Sequence, residues 1–259
     1  MELSLGKKYN RKIANAIAEF KLIENGDHIL AAFSGGIDSS FLLYTLKILQ
    51  RSMSMNFKIT ALTIDVGFGQ IDYSPAKKFC QELNIDYHIK NTDIADIIEE
   101  KEDSNPCSNC SYFRKGAVTE FIQNQNYKFD KIAYGHHLHD VIETFLMSII
   151  YSGQIKTFLP KNPLTKADAE VIRPLINLRE EEINEFMSNL NYRPISNKCP
   201  YSSSSKRKEM KDFINSFSDR NQILYNLASA IRKDSVMDLW PEEENSQTIQ
   251  KKVYELWSS

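Results

Sequence analysis

The chain holds no apolar run approaching the ~18 residues that a membrane span needs. It is also sparing in punctuating and special residues, with 4 cysteines, 9 glycines, 8 prolines and 2 tryptophans in 259 residues. Each scarcity excludes something. No membrane partner is expected, and the opening Met1-Glu2-Leu3-Ser4-Leu5-Gly6-Lys7-Lys8 lacks the apolar centre of a secretory leader, so a cytoplasmic setting is expected. Cysteine is too rare for a disulfide scaffold, and a chain this long buries a core without one. In a reducing compartment, Cys80, Cys107, Cys110 and Cys199 point instead to metal, cluster or redox chemistry. A formal net charge of −2 gives no global pull on nucleic acid, so RNA contact needs a local basic patch. The GxxxxGK[ST] spacing of a Walker A loop does not occur.

What is present starts with a strand, a tight turn and a helix. The apolar residues of 28–33 run into Ser34-Gly35-Gly36-Ile37-Asp38-Ser39-Ser40, and Phe41, Leu42, Tyr44, Leu46 and Leu49 make the next segment a buried helix. Such a turn aims backbone N–H groups and the positive end of a helix dipole at one point, and two glycines let a ligand approach the backbone. It is a site for phosphate.

The alternation continues. Residues 57–66 are β-rich and end in Gly67-Phe68-Gly69, Ser74-Pro75 opens a helix carrying Cys80 and Leu83, and 86–89 form a third strand. Ile94, Ile97 and Ile98 fall at helical spacing in the polar segment 91–104; residues 112–123 predict a helix, 131–135 a fourth strand and 139–151 an apolar helix. Residues 153–169 read as a loop, 171–174 as a fifth strand, and Glu180, Glu181 and Glu182 as an acidic first helical turn. Helices are expected over 206–217, 220–233 and 243–257, beyond the serine run 202–205. The expected fold is α/β: a doubly wound, mainly parallel five-stranded sheet flanked by helices, with a small helical C-terminal cap, and ligands at the C-terminal strand ends. The expected division is an ATP-binding domain over 1–175 with an N-terminal helix and a CxxC insertion, and a helical region over 176–259 carrying Cys199.

Two further stretches carry chemistry. Gly135-His136-His137-Leu138-His139-Asp140 follows a predicted strand, which brings histidines and a carboxylate to the same rim as the phosphate turn. Carboxylates there could hold Mg²⁺ on a triphosphate, and an imidazole could neutralise charge developing on a leaving pyrophosphate. The other is Pro106-Cys107-Ser108-Asn109-Cys110, joined much later by Asn197-Lys198-Cys199-Pro200. A CxxC entering a helix is open to three readings: a redox pair, half of a zinc site or part of an iron–sulfur site. Three thiolates suit a cluster with one iron left open, whereas Cys80 on an amphipathic helix reads as a buried small residue.

The Ser-Gly-Gly-x-Asp-Ser string resembles the PP-loop of the N-type ATP pyrophosphatase superfamily. Taken with Cys107-Ser108-x-Cys110-Ser111-x-x-Arg114-x-Gly116, Gly135-His136-His137-x-x-Asp140-x-x-Glu143-Thr144, Arg173-Pro174-Leu175, Arg179-Glu180 and the late Cys199, the order over residues 10–215 resembles the tRNA 2-thiocytidine synthetase (TtcA-type) family. The resemblance implies a sulfurtransferase that uses ATP and Mg²⁺ to adenylate a base oxygen in tRNA, at cytosine C2, and replaces it with sulfur from a donor protein or sulfide. It implies Ser34, Gly35, Gly36, Asp38 and Ser39, with Ser40 beside them, as the ATP turn. Gly135, His136 and Asp140 become its rim, and Cys107, Cys110 and Cys199 the ligands of a [4Fe-4S] cluster. Asp38 and the three cysteines then carry the catalysis. The sequence departs from that family at Ile37, where lysine is usual, at His139, where the family has a second aspartate, and at Pro200-Tyr201-Ser202, where it has Gly-Ser.

Lys206, Arg207, Lys208 and Lys211, with Arg114 and Lys115, gather positive charge for an RNA backbone, and Tyr112, Phe113 and Tyr201 are candidates to stack a base or to fill core. Segment 240–257, with Trp240 and Trp257, is read as a candidate homodimer interface. Two alternatives stand beside the main reading. One is a PP-loop enzyme adenylating another RNA base or a small metabolite, with zinc-bound or persulfide cysteines; the other is a non-catalytic RNA-binding or redox module.

Overall fold

The apolar periodicity of residues 7–20 becomes α1 (Lys7–Phe20), which lays Ile13, Ala16 and Ile17 on the core. In the computed structural model, which describes residues 4–100, 105–190, 192–196, 198–202, 205–232 and 245–257, strands and helices then alternate. They run β1 (His28–Ala32), α2 (Ile37–Ser52), β2 (Lys58–Asp65), α3 (Ser74–Glu82), β3 (Asp86–Asn91), α4 (Ile94–Glu100), α5 (Pro106–Gln123), β4 (Lys131–Ala133) and α6 (Leu138–Ser152). After these come β5 (Lys161–Leu164), a short 3₁₀ turn, β6 (Ala169–Ile172), α7 (Glu180–Ser188), α8 (Lys206–Asn215), α9 (Arg220–Ala230) and α10 (Ser246–Trp257). Asn197, Ser203, Ser204, Lys233, Trp240 and Glu243 lie outside the described residues, and so does the start of the segment read as a dimer interface. Among the described residues no helix is long and apolar enough to cross a membrane.

The sheet has the order β3-β2-β1-β4-β6-β5, with β5 antiparallel to β6 and the other pairings parallel. It therefore has six strands, one more than the five expected. The sixth, β5, lies inside the stretch expected to be a loop. Its Lys-Asn-Pro-Leu sequence has no apolar alternation, and Pro163 is tolerated because the strand forms the sheet edge, where a missing N–H breaks no ladder. Boundaries shift elsewhere too. α5 begins at Pro106 rather than at 112, which puts Cys107 in its first turn and Cys110 at the start of its second, with proline where the helix needs no donor.

The chain winds outward from β1 to β3, then returns to the other side of β1 to lay down β4. Neighbouring strand ends splay apart at that reversal, so the crevice lies beyond the C-terminal ends of β1 and β4. α2 is the central helix, with Phe41, Leu42, Leu43 and Leu46 fully buried; each contributes roughly 1.5–3 kcal/mol by burial. One core cluster joins α1, α2, α3 and α7 beneath the sheet, and a second lies on the opposite face around Leu30, Leu62, Val118, Ile122 and Phe129. α8 and α9 pack on α6 through Ile142, Leu146, Met210, Ile214 and Leu224.

Candidate active site at the topological switch point

The chain leaves β1 through Phe33 and turns at Ser34-Gly35-Gly36 into α2. Gly35 has φ +76°, a conformation that favours glycine, and a Cβ there would press on the Ile195 side chain. Ser39 Oγ donates to the Gly36 carbonyl at 3.0 Å and accepts from Ser34 N at 3.2 Å, and Ser40 Oγ donates to the same carbonyl at 2.8 Å. From behind, the Gly35 carbonyl accepts the Tyr192 hydroxyl at 2.8 Å and Ile195 N at 2.9 Å. Held this way, the turn presents the N-terminal amides of α2, whose intrahelical acceptors are missing, to the crevice.

The second glycine turn closes on the first. A Cβ on Gly135 would lie 2.9 Å from the Asp38 carbonyl oxygen and 3.2 Å from Ser39 N, so only glycine lets the β4–α6 loop lie against the start of α2. His137 follows, 5% exposed, with Nε2 3.8 Å from Asp38 Oδ1. Its backbone N–H donates to Asp140 Oδ2 at 2.9 Å, which caps α6. The Asp140 carboxylate also pairs with Arg207 of α8, whose guanidinium reaches Thr144 Oγ1 at 3.2 Å and lies 3.8 Å from Glu143 Oε2. The structure thus brings Ser34, Gly35, Gly36, Asp38, Ser39, Gly135, His136 and Asp140 to one crevice, whereas Ser40 is fully buried beneath it and braces the turn through the Gly36 carbonyl.

Burial divides the rim electrostatically. It raises the Asp38 carboxyl, with His137 acting against it, and pushes Glu143 up to about 7. Burial would raise Asp140 as well, but His137, His136 and Arg207 outweigh it and hold that carboxyl below the usual range. His136 is driven down to about 4 by burial, so its imidazole is neutral near pH 7. Its Nδ1 accepts from Arg173 Nε at 3.1 Å, which places the proton on Nε2 and makes that nitrogen a donor. Arg173 is itself buried, lowered to about 10 by that burial, and anchored on the Leu159 carbonyl and on Asn162 Oδ1 at 2.9 Å. His139 takes no part in the phosphate turn; its Nδ1 accepts Glu180 N at 3.2 Å, and Nε2 lies 3.6 Å from Glu181.

The three cysteines gather at a neighbouring corner. Cys110 and Cys199 pack against Phe68, Ile94, Ala95 and Ile98, and Cys107 is exposed. Burial raises the Cys110 thiol, Arg114 beside it works against the rise, and charge on Cys199 or Cys107 adds to it, so the three sulfurs lie within electrostatic reach. Among the described residues no three His, Cys, Asp or Glu side chains close around a point as a finished metal cage. The donor set nonetheless fits an iron–sulfur cluster by its chemistry, being three soft thiols in a largely apolar corner. Asp38 and Asp140 fit the requirement of Mg²⁺ for one or two carboxylates alongside phosphate oxygens. Cys80 is buried at 1% exposure, with its thiol pushed up to about 12 by burial, as a structural residue should be.

The expected RNA patch is redistributed. Met210 and Ile214 dock α8 onto α6, and this turns Arg207 and Lys211, one helical turn apart, toward rim carboxylates: Lys211 Nζ lies 2.6 Å from Glu180 Oε1. Lys208 pairs with Asp212 at 3.1 Å, and Lys206 sits 4.5 Å over the Tyr151 ring. Phe113 and Tyr201 pack beside Phe68 while Tyr112 remains 68% exposed. Sequence reasoning assigned no role to Tyr192 or Ile195, and nothing local signals that they clamp a turn far earlier in the chain.

A sheet with its phosphate turn at this switch point, and a second glycine loop closed on it, defines a PP-loop ATP-binding protein; the profile of the PP-loop domain matches residues 5–216. The tRNA-cytidine(32) 2-sulfurtransferase 1 of Francisella philomiragia is 34% identical over 218 residues, covering 83% of this chain and 84% of that protein. The tRNA-cytidine(32) 2-sulfurtransferase of Citrifermentans bemidjiense is 32% identical over 221 residues, covering 84% and 86%. The chain belongs to the tRNA 2-thiocytidine synthetase (TtcA) family of PP-loop proteins. Its fold is shared with the U34-tRNA thiolase NcsA of Methanococcus maripaludis, solved with its [4Fe-4S] cluster, at TM-score 0.65 and 24% identity over 87% of this chain and 78% of that one.

Proposed function

We propose that this protein is an ATP-dependent tRNA sulfurtransferase that replaces the C2 oxygen of a cytosine with sulfur. The observation that carries the ATP half is the contact of Gly135 with the Asp38 backbone, which fuses the phosphate turn and the histidine–carboxylate rim into one crevice. The names of the curated relatives supply the tRNA cytidine and the sulfur transfer.

In this reading the α2 N-terminus and the Ser34–Ser39 turn, braced from beneath by the buried Ser40, bind the triphosphate, and Asp38 and Asp140 would hold Mg²⁺. The base oxygen attacks the α-phosphorus, and pyrophosphate leaves as the neutral His136, kept in its Nε2–H form by Arg173, offers a hydrogen bond to anionic oxygen. Sulfide, free or delivered at that oxidation level by a donor protein, then attacks the adenylated carbon, and AMP departs with the former base oxygen. Cys107, Cys110 and Cys199 would hold a [4Fe-4S] cluster, which supplies an open iron for binding sulfide. Arg114 at the Cys110 thiol and Lys115 offer charge for the RNA backbone at the same corner.

Pyrophosphate release from ATP, measured with and without bulk tRNA, tests the reading together with mass analysis of nucleosides from cells lacking the gene. Release that depends on tRNA, and loss of 2-thiocytidine, are expected. Release without tRNA, or an unchanged thionucleoside profile, would overturn it.

A further inference from the structure

Ile37 precedes Asp38 at the mouth of the crevice, yet its side chain packs against the main core and brings no charge to the turn. The turn itself then offers phosphate only amides, hydroxyls and the helix dipole. A triphosphate shedding pyrophosphate is further stabilised by a protein cation beside the metal ion. α8 delivers two candidates to the rim. Arg207 is already engaged by Asp140, with Glu143 and Thr144 around it. Lys211, one turn later, is tethered by Glu180 at 2.6 Å and keeps 44% of its side chain exposed.

We propose that Lys211 is the phosphate-facing cation of this site, reaching the turn from α8 in place of a lysine at position 37; the assignment rests on reading residues 34–40 as the ATP turn. Lys211 lines one small cavity with His139, Glu143 and Glu180, and Glu143 lies 3.8 Å from the Arg207 that pairs with Asp140, so its ammonium stands beside the carboxylates of the rim. The carboxyls facing it are Glu180, which it pairs with directly, and Glu143 and Asp38, which Arg207 and His137 respectively also face. An arriving triphosphate competes with Glu180 for the same ammonium, and the four-carbon stem lets that ammonium swing between them.

The rival explanation is that Lys211 only neutralises Glu180. Equilibrium binding to the anaerobically prepared full chain separates the two. The probes are an ATP analogue with a methylene between the α- and β-phosphorus, given with Mg²⁺, and AMP for comparison. Lys211→Ala is expected to weaken the analogue by about tenfold or more, the worth of one charge-assisted contact, and to leave AMP binding unchanged. Lys211→Arg is expected to keep most of the affinity, and Glu180→Gln combined with Lys211→Ala to remain weak. Wild-type affinity in Lys211→Ala, or its recovery in the double variant, would overturn the assignment. Failure of the wild-type chain to bind the analogue at all would remove the ATP-turn reading itself, a result distinct from either.

Discussion

Arg207 of α8 and Asp140 of α6 form an ion pair across the mouth of the crevice, 67 positions apart in the chain. The pair joins the helical cap to the ATP rim. It also contributes to the charge state of Asp140, where His137 and His136 together with Arg207 overcome the burial that would otherwise raise that carboxyl.

Arg207→Ala should therefore destabilise the fold by about 1–2 kcal/mol at pH 7, less than a fully buried pair because the arginine side chain is 42% exposed. The folded-state value of Asp140 lies below its ordinary 3.8, so its contribution is fully present above that pH and is lost as pH falls through the lowered value. Urea unfolding of both proteins between pH 7 and 3 should show the gap narrow only at the acid end.

Glu143 behaves in the opposite sense. Its folded value of about 7 stands above the ordinary 4.5, so the folded state binds a proton more tightly than the unfolded one and loses stability as pH rises from 4.5 through 7. Glu143→Gln removes that loss. The variant should gain about 2 kcal/mol on the wild type between pH 5 and 8, read by the same unfolding curves.

Gly135→Ala forces a methyl group against the Asp38 backbone, where no flexible side chain can yield. A cost of about 1–3 kcal/mol is expected, together with loss of ATP binding as the two turns separate. Thermal unfolding and nucleotide titration check both. Unchanged nucleotide affinity would argue that the crevice does not depend on this contact.

Asp38→Ala should abolish ATP-dependent turnover while leaving the brown colour and the iron and acid-labile sulfide of anaerobically purified protein intact. Cys107→Ser, Cys110→Ser or Cys199→Ser should lose the colour and the iron. Stoichiometric zinc without iron in protein shielded from air would exclude the cluster.

Much of the architecture was legible because its signals are local. Apolar runs ending in Gly35-Gly36 and Gly135 mark strands that stop at a ligand site, and the CxxC entering a helix announces itself over four residues. β5 was not legible, since an edge strand buried on neither face needs no alternation and tolerates Pro163. The orientation of α8 was equally hidden. Its cations resemble an RNA-binding run until Met210 and Ile214 dock and turn two of them inward. Ile37 and His139 were visible as departures from the family, but their surroundings, the core for one and α7 for the other, exist only in three dimensions.

The carbonyl of Gly35 is gripped by Tyr192 and Ile195, and Cys199 lies just four residues beyond Ile195. Four residues of extended chain reach no more than ~14 Å. The proposed cluster ligand Cys199 can therefore lie no farther than that from the Ile195 contact with the proposed nucleotide turn. In the proposed reading, the activating turn and a cysteine of the sulfur site are thus spaced by covalent chain length as well as by packing.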